Sequence, residues 1–197
     1  HVPNMLSSGL NEFSKHFFAQ LDKKALIIDN RFNGGGNVSP LILERLQREV
    51  VRSTIGRNYE VSSPVPRQTF VGPKVMLVNQ YSASDGDLFP YGFRKLNLGT
   101  IIGTRTWGGV VGIRGSLAFI DGAELRKPEF ATYDANTGEW IIEGYGVDPD
   151  IVIENDPIQE YEGTDLQLQK AIEVIREQLK EFNGLPASPL QGPDKSK

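Results

Sequence analysis

The chain has 197 residues, of which 39% are hydrophobic and 23% are charged, proportions typical of an ordinary globular protein. No apolar run approaches the ~18 residues of a membrane-spanning helix, so we predict no membrane segment. Lys and Arg total 21 against 25 for Asp and Glu, and this net charge of −4 argues against nucleic acid as a partner.

The first half of the chain shows two units in which a strand is followed by a loop and a helix. An amphipathic helix is predicted over residues 7–21 before them. Short apolar runs predict buried strands of a parallel sheet, and Ser or Pro before periodic segments indicates helix starts. The predicted order is a strand at 25–29, a helix at 39–51, a strand at 74–78, a turn and helix within 82–95, and a strand at 100–103. Residues 58–73 contain three prolines and are predicted to be irregular.

The second half changes character after residue 103. Glycines punctuate short β-prone pieces, including residues 117–120, and Asp121-Gly122 is typical of a hairpin. Thr164 and Gln167 have the spacing of a capping box, which predicts a final helix that ends at Gly184. We expect one α/β unit over residues 1–185 and a disordered tail at 186–197. The start at His1 suggests an excised piece of a longer protein.

Three loops carry residues that could perform chemistry. Residues 33–36 contain three consecutive glycines, which suit a phosphate cradle or an oxyanion hole, although a plain tight turn has the same composition. Residues 81–87 place serines before a helix, where one could be a nucleophile with the Asp85 N–H as an oxyanion donor, or a simple cap. Glu143 precedes a Gly-X-Gly bend and could orient a base.

The remaining candidates are weaker. His16 is predicted to pack, partly buried, beside the phenylalanines of the first helix, and His1 is given no role. Trp107 and Trp140 are expected in a pocket wall or the core. The two histidines do not make a usual ligand set, and there are no cysteines, so we expect no metal, no other cofactor and no disulfide.

Together, these motifs resemble a known family. Residues 27–36 (IIDNRFNGGG) resemble the strand and glycine loop of the S41 serine peptidases, the C-terminal-processing and tricorn group. Residues 78–87 (VNQYSASDGD) resemble the nucleophile segment of the tricorn branch, and residues 100–109 and 146–150 match that branch in the same order. The resemblance covers roughly residues 2–182 and corresponds to the last catalytic subdomain, with a fold of the ClpP/crotonase type.

The resemblance implies a role for each matched residue. Ser84 is the matched nucleophile, the N–H groups of Gly36 and Asp85 form the oxyanion hole, and Glu143 belongs to the charge network. In this branch the general-base histidine and a PDZ-like module lie upstream, so we expect the base from outside this chain. Lys95 is the only nearby lysine that could replace it, and we favour the histidine.

One position departs from the branch. An aspartate in the connection after the glycine-loop helix is thought to meet basic P1 side chains there, and the nearest match in this chain is Asn58. A neutral amide would lose the attraction for Lys or Arg, which leaves the P1 preference open.

The sequence thus predicts the nucleophile-bearing half of a serine peptidase that acts on peptides or unfolded chains. Its expected partners are upstream domains of the same protein, including a PDZ-like module and a propeller-like repeat, and the resemblance allows for a homo-oligomer. Two alternatives stay open: a crotonase-like enzyme that binds a thioester enolate, and an inactive module that captures peptides by strand addition. The sequence does not separate a cytoplasmic from a periplasmic location.

Overall fold

The computed structural model describes residues 1–114, 119–187 and 189, which form eight strands and five helices. The strands are β1 (Leu26–Asp29), β2 (Arg52–Thr54), β3 (Ser63–Val65), β4 (Lys74–Val78), β5 (Thr100–Gly103), β6 (Gly112–Arg114), β7 (Lys127–Phe130) and β8 (Ile151–Val152). The helices are α1 (Ser7–Phe18), α2 (Ser39–Leu46), α3 (Asp85–Lys95), α4 (Pro157–Tyr161) and α5 (Leu166–Glu181).

A parallel sheet in the order β1-β4-β5-β8 forms the centre of the molecule. Leu26 lies opposite Lys74 on β4, and Val75 lies opposite Thr100 on β5. All four strands therefore end at the same edge of the sheet, where ligands of open α/β sheets usually bind. The loops that follow β1, β4 and β5 meet at this edge, and they include the glycine and serine motifs.

The sheet is buried on both faces because its strands are apolar on both. Met76 and Val78 of β4 belong to a core that also contains apolar side chains of α1, α2 and α3. Val75 and Leu77 of the same strand face the other way and share a second core with α5. The segment that contains Ser84 thus enters a helix on the first face, while α5 covers the second.

Two small antiparallel pairs lie outside the central sheet. Strand β2 pairs with β3, and β6 pairs with β7 across the predicted Asp121-Gly122 turn. The prediction of an irregular segment at 58–73 is therefore wrong for β3. The pairing also explains why α2 ends at Leu46 rather than near Val51: the Val51 N–H donates to the Val65 carbonyl, 3.1 Å away, and the chain is already extended there.

Other boundaries also differ from expectation. The first helix ends at Phe18, three residues early, because a turn closed by the Lys23 N–H and the Gln20 carbonyl leads into β1. The predicted capping box is wrong: the N-cap of α5 is Asp165, whose carboxylate accepts from the Leu168 N–H at 2.9 Å. Helix α5 itself ends at Glu181, before Gly184.

Two predictions fall largely outside the described part of the chain. The β-prone piece at 117–120 is described only at 119 and 120, and the expected tail at 186–197 only at 186, 187 and 189. Of these tail residues, Ala187 accepts a hydrogen bond from the Ser62 N–H at 2.7 Å. Within the described residues, no helix has the length and apolar character to cross a bilayer.

Candidate active site

Ser84 stands at the entrance of α3 in an unusual backbone conformation. It is the N-cap of the helix, with φ 57° and ψ −122°, a region that costs a non-glycine residue about 1–3 kcal/mol. The surrounding loop fixes it: the Ala83 N–H donates to the Asn33 carbonyl at 2.8 Å, and the Trp107 N–H donates to the Ser82 carbonyl at 3.0 Å. The side chain is half-buried, and its hydroxyl has no hydrogen-bond partner among the described residues.

Ser82, the fully buried serine of this loop, has a structural role. The Ser82 hydroxyl donates to the Asn30 carbonyl at 2.8 Å and accepts from the Asn79 N–H at 3.3 Å. Its side chain is fully enclosed, so it joins the ends of β1 and β4 and cannot reach a ligand. Of the two, Ser84 alone therefore presents a free hydroxyl.

The glycine loop is fixed so that one N–H is turned outward. The Gly35 carbonyl accepts from the Met5 N–H at 2.8 Å, and the Gly35 N–H donates to the Asn33 side chain at 3.0 Å. In a trans peptide the carbonyl and the next N–H point in opposite directions. The Gly36 N–H therefore points away from Met5, and it donates to no described residue.

The same argument applies to the peptide after the serine. The Ser84 carbonyl accepts from the N–H groups of Asp87 at 2.8 Å and Leu88 at 3.1 Å, so it points into the first turn of α3. The Asp85 N–H must then point outward from the helix start, where free N–H groups and the helix dipole favour negative charge.

Gly35 brings the two loops into contact. A β-carbon at this position would lie 2.6 Å from the Ser84 Cβ and 3.0 Å from the Asp85 nitrogen. Its φ of +97° is also one that side chains rarely adopt. Only glycine leaves the space beside the serine and the Asp85 N–H open.

The Asp85 side chain forms its hydrogen bonds with the start of α2. It is buried, and its two carboxylate oxygens accept from the Ser39 N–H at 2.9 Å and from the Ser39 hydroxyl at 2.5 Å. Ser39 is the first residue of α2, so this carboxylate ties the start of α2 to the start of α3. The backbone of Asp85 faces the site, while its side chain holds the helices.

Asp87 links α3 to the loop around Gly108 that follows β5. It is fully buried, and its Oδ1 accepts from the Gly108 N–H at 2.8 Å, while Oδ2 has no hydrogen-bond partner among the described residues. Burial raises the pKa of this carboxyl, and nearby donors, the Thr106 hydroxyl and the Gly108 N–H among them, partly oppose the effect.

Glu143 lies on the far side of that loop. Its Oε2 accepts from the Val110 N–H at 2.6 Å and the Val111 N–H at 2.9 Å, and the Gly144 N–H donates to the Gly108 carbonyl at 2.7 Å. A chain of contacts therefore runs from α3 through Asp87 and Gly108 to the Glu143 loop, with the carboxylate exposed at its end.

This arrangement can be compared with known proteins. The family model described as "Peptidase family S41" matches residues 1–153. The chain belongs to peptidase family S41. The resemblance to the tricorn branch and the expected α/β fold with a parallel sheet are both confirmed.

The S41 relatives of this chain are much longer than the chain itself. The tricorn protease of Thermoplasma volcanium is 44% identical over 182 residues, which cover 92% of this chain and 18% of the relative. That of Thermoplasma acidophilum is 44% identical over 190 residues, covering 96% and 18%. A crystal structure of the tricorn protease matches with a TM-score of 0.82 at 43% identity, covering 91% of this chain and 17% of that one. The chain thus spans less than a fifth of these proteins.

The structure brings together most of the residues singled out for an S41 site. Ser84, Asp85 and the Gly35-Gly36 peptide lie at the end of the sheet, and Glu143 is connected to them through the Gly108 loop. Asn58 lies in an exposed turn closed by the Tyr59 N–H and the Gly56 carbonyl. No described contact joins Asn58 to the serine loop.

The candidate bases of the chain are engaged by other side chains. Lys95 is at the far end of α3, about 16 Å along the helix axis, and its ammonium lies 2.6 Å from Asp134. That hydrogen bond raises the pKa of Lys95, so it stays protonated. The prediction that His16 is a packing residue is wrong: its side chain is 55% exposed and pairs with Glu12 at 3.2 Å. Trp107 and Trp140 are exposed rather than part of the core, and Trp140 lines a surface pocket, which is one of the two settings expected for it.

Sequence reasoning missed two residues that organise this S41 site. Asn33 is fully buried, and its side-chain amide donates to the Val2 carbonyl at 2.9 Å while its oxygen accepts from the Gly35 N–H. Asp87 is also fully buried, and its place in the motif at residues 81–87 predicts no separate role. An Asn before three glycines and an Asp one turn after the serine were the available signals.

Proposed function

We propose that this chain is the nucleophile-bearing part of a serine peptidase that hydrolyses peptide bonds in peptides or unfolded chains. The observation that carries the proposal is the free Ser84 hydroxyl beside two outward N–H groups whose carbonyl partners are fixed by hydrogen bonds. Membership of family S41 supports the same reaction class.

In the proposed first step the Ser84 oxygen attacks the carbonyl carbon of the scissile peptide bond. A general base takes the hydroxyl proton, and the carbonyl oxygen becomes an oxyanion that accepts hydrogen bonds from the Gly36 and Asp85 N–H groups. Each such donor stabilises the transition state by about 3 kcal/mol. The proton then passes to the leaving amine, and water hydrolyses the resulting acyl-enzyme.

We propose that the base comes from residues outside this chain. A serine hydroxyl is a weak nucleophile until an adjacent base accepts its proton. Within the described part of the chain, His16 pairs with Glu12 and Lys95 pairs with Asp134, and neither is hydrogen-bonded to Ser84. We propose a histidine on an upstream subdomain, oriented by a network that includes Glu143, with a PDZ-like module among the further partners.

The specificity residue proposed from the sequence is Asn58. Its turn lies in the β2–β3 connection and is exposed, so a neutral amide is available for a substrate side chain. This assignment predicts no strong preference for Lys or Arg at P1.

The second candidate is a peptide-binding module without catalysis, and the absence of a base beside Ser84 in the described residues favours it. A serine-reactive phosphonate separates the two functions in the full-length protein that contains this chain. We expect labelling that Ser84→Ala abolishes and that the exposed control Ser53→Ala leaves intact. Peptide binding without any labelling would support the inactive module, and labelling that survives Ser84→Ala would exclude Ser84 as the nucleophile.

A further inference from the structure

Two exposed aromatic rings lie against each other beside the serine loop. Phe32 is 60% exposed and Tyr81 is 58% exposed, yet their rings stack with centroids 5.3 Å apart and planes inclined by 11°. Large apolar rings in water are unfavourable, and a pair of them is a flat surface on which another apolar group can rest. We call these two residues the aromatic pair.

The aromatic pair belongs to the two loops that carry the proposed chemistry. Phe32 precedes the Gly35-Gly36 peptide by only a few residues, and Tyr81 precedes Ser84 by three. At 3.8 Å between consecutive α-carbons, the Tyr81 and Ser84 α-carbons are at most about 11 Å apart. An extended peptide advances about 3.3 Å per residue, so a substrate residue within about four positions of the scissile bond reaches the pair.

The backbone under the pair is held by one buried side chain. The Asn79 Oδ1 accepts from the Phe32 N–H at 3.0 Å and from the Tyr81 N–H at 3.2 Å. Phe32 is held at φ 61°, an outlier for a bulky residue, and such strain persists mostly at functional positions. Because Asn79 already clamps both loops, the rings are not needed to join them.

A groove continues from the pair along the edge of the sheet. It encloses about 230 Å³ and is lined by the pair together with Arg31, Thr104, Glu154 and Glu160. The guanidinium of Arg31 is engaged by Asp29 and Asp165, each at 2.8 Å. The two glutamates are exposed on the rim, so the groove is unfavourable for an acidic side chain.

We propose that the aromatic pair is a subsite for a large apolar side chain of the peptide substrate, within about four residues of the cleaved bond. The occupant is the peptide because the pair is continuous with the Ser84 and Gly36 loops and because the groove beyond it follows the carboxyl edge of the strands. This inference rests on the proposed peptidase function.

The test measures kcat/KM in the full-length protein with peptides that differ at one position near the cleaved bond. We expect Phe or Leu to be cleaved about tenfold better than Ala at one such position, and Glu to be cleaved worst. Phe32→Ala and Tyr81→Ala should remove the preference for Phe or Leu, so that the ratio of kcat/KM for the Phe peptide to that for the Ala peptide falls from about ten to about one. The control Phe119→Ala removes an equally exposed ring in the β-rich section and should preserve the preference.

Two results would overturn the subsite. An equal loss with every peptide would mean that the rings only position the loops, and a change of oligomeric state with unchanged preference would assign them to a contact between copies. Peptide binding to the Ser84→Ala protein, followed by fluorescence anisotropy, gives a readout without hydrolysis. If wild type cleaves nothing but the Phe peptide binds more tightly than the Ala peptide in a manner that depends on Phe32, the peptidase proposal fails and the subsite stands.

Discussion

The proposed site joins two regions that are built differently. The loops at 33–36 and 82–87 lie directly on the parallel sheet, and their carbonyls and side chains are held by buried residues such as Asn33 and Asp85. The section from residue 104 to 150 carries Glu143. Its described residues form a two-stranded sheet, and those from 119 to 131 are all exposed.

This difference separates the parts of the proposed reaction. The serine and the two N–H groups are preorganised by the core of the domain, which suits electrostatic stabilisation of an oxyanion. Glu143 depends on two N–H bonds in a thin outer layer, and the buried carboxylate of Asp87 connects the Gly108 end of that layer to α3. Substitutions in the first region should therefore act on the chemistry, and those in the second should act through this link.

The largest effect is expected from Gly35→Ala. The new β-carbon would lie 2.6 Å from the Ser84 Cβ and 3.0 Å from the Asp85 nitrogen, in the space proposed for the oxyanion. We expect kcat of the full-length protein to fall by about 10²–10³-fold, the usual cost of a lost oxyanion donor. Steady-state kinetics with a peptide substrate measure it.

Gly34→Ala is the matched control one residue away. A β-carbon there has no neighbour within 4 Å, and the position is exposed. We expect activity within about twofold of wild type, since an exposed position with open space tolerates a methyl group. If both alanine variants lost activity equally, close approach of Gly35 to the serine would not be the reason.

Glu143→Gln tests the outer region. The variant keeps an oxygen that can accept from Val110 or Val111 but loses the charge that strengthens these bonds. We expect kcat to fall on the order of 10²-fold, the typical contribution of a general acid–base group, with little change in the denaturation midpoint. Glu139→Gln, in an exposed turn, should be neutral. Wild-type kcat together with lowered stability would make Glu143 a structural residue.

The comparison also explains what could be predicted from the sequence. Strands β4 and β5 have the bounds that the sequence predicts, because a short continuous apolar run such as residues 75–78 is typical of a strand that is buried on both faces of a sheet. The end of α2 and the existence of β3 could not be predicted in this way. Both depend on the pairing of residues 52–54 with residues 63–65, which no local sequence pattern reveals.

The site was predictable in its motifs but not in its geometry. The residues alone left several serines open, and the family resemblance pointed to Ser84. The Ser82 hydroxyl is not free because it donates to the Asn30 carbonyl, which lies 52 positions earlier in the chain. The outward direction of the Gly36 N–H depends on Met5, which lies in a segment without a regular pattern. Such long-range hydrogen bonds follow from the fold rather than from the motif.

The link between the regions is tested by Asp87→Ala with Asp87→Asn as its conservative partner. Alanine leaves the Gly108 N–H buried without its acceptor, which lowers the free energy of unfolding by about 1–3 kcal/mol. Asparagine keeps an oxygen for Gly108 and should cost less. Urea denaturation measures both, and equal losses for the two variants would show that the bond to Gly108 is not what matters.

The smallest effect is expected at the outer edge of the second region, from Asp134→Asn. This carboxylate accepts from Tyr91 at 2.8 Å and pairs with Lys95 at 2.6 Å, and these bonds lower its pKa. Because the folded state holds the proton less tightly than the unfolded state, the stabilisation is present above the ordinary carboxyl pKa of about 4 and is lost as the pH falls through the lowered value. We therefore expect Asp134→Asn to melt slightly below wild type at pH 7 and the two Tm values to converge in acid. The control Asp121→Asn, in an exposed turn, should have the Tm of wild type at every pH. A Tm difference that stays constant down to low pH would mean that the charge of Asp134 does not hold the outer layer on α3.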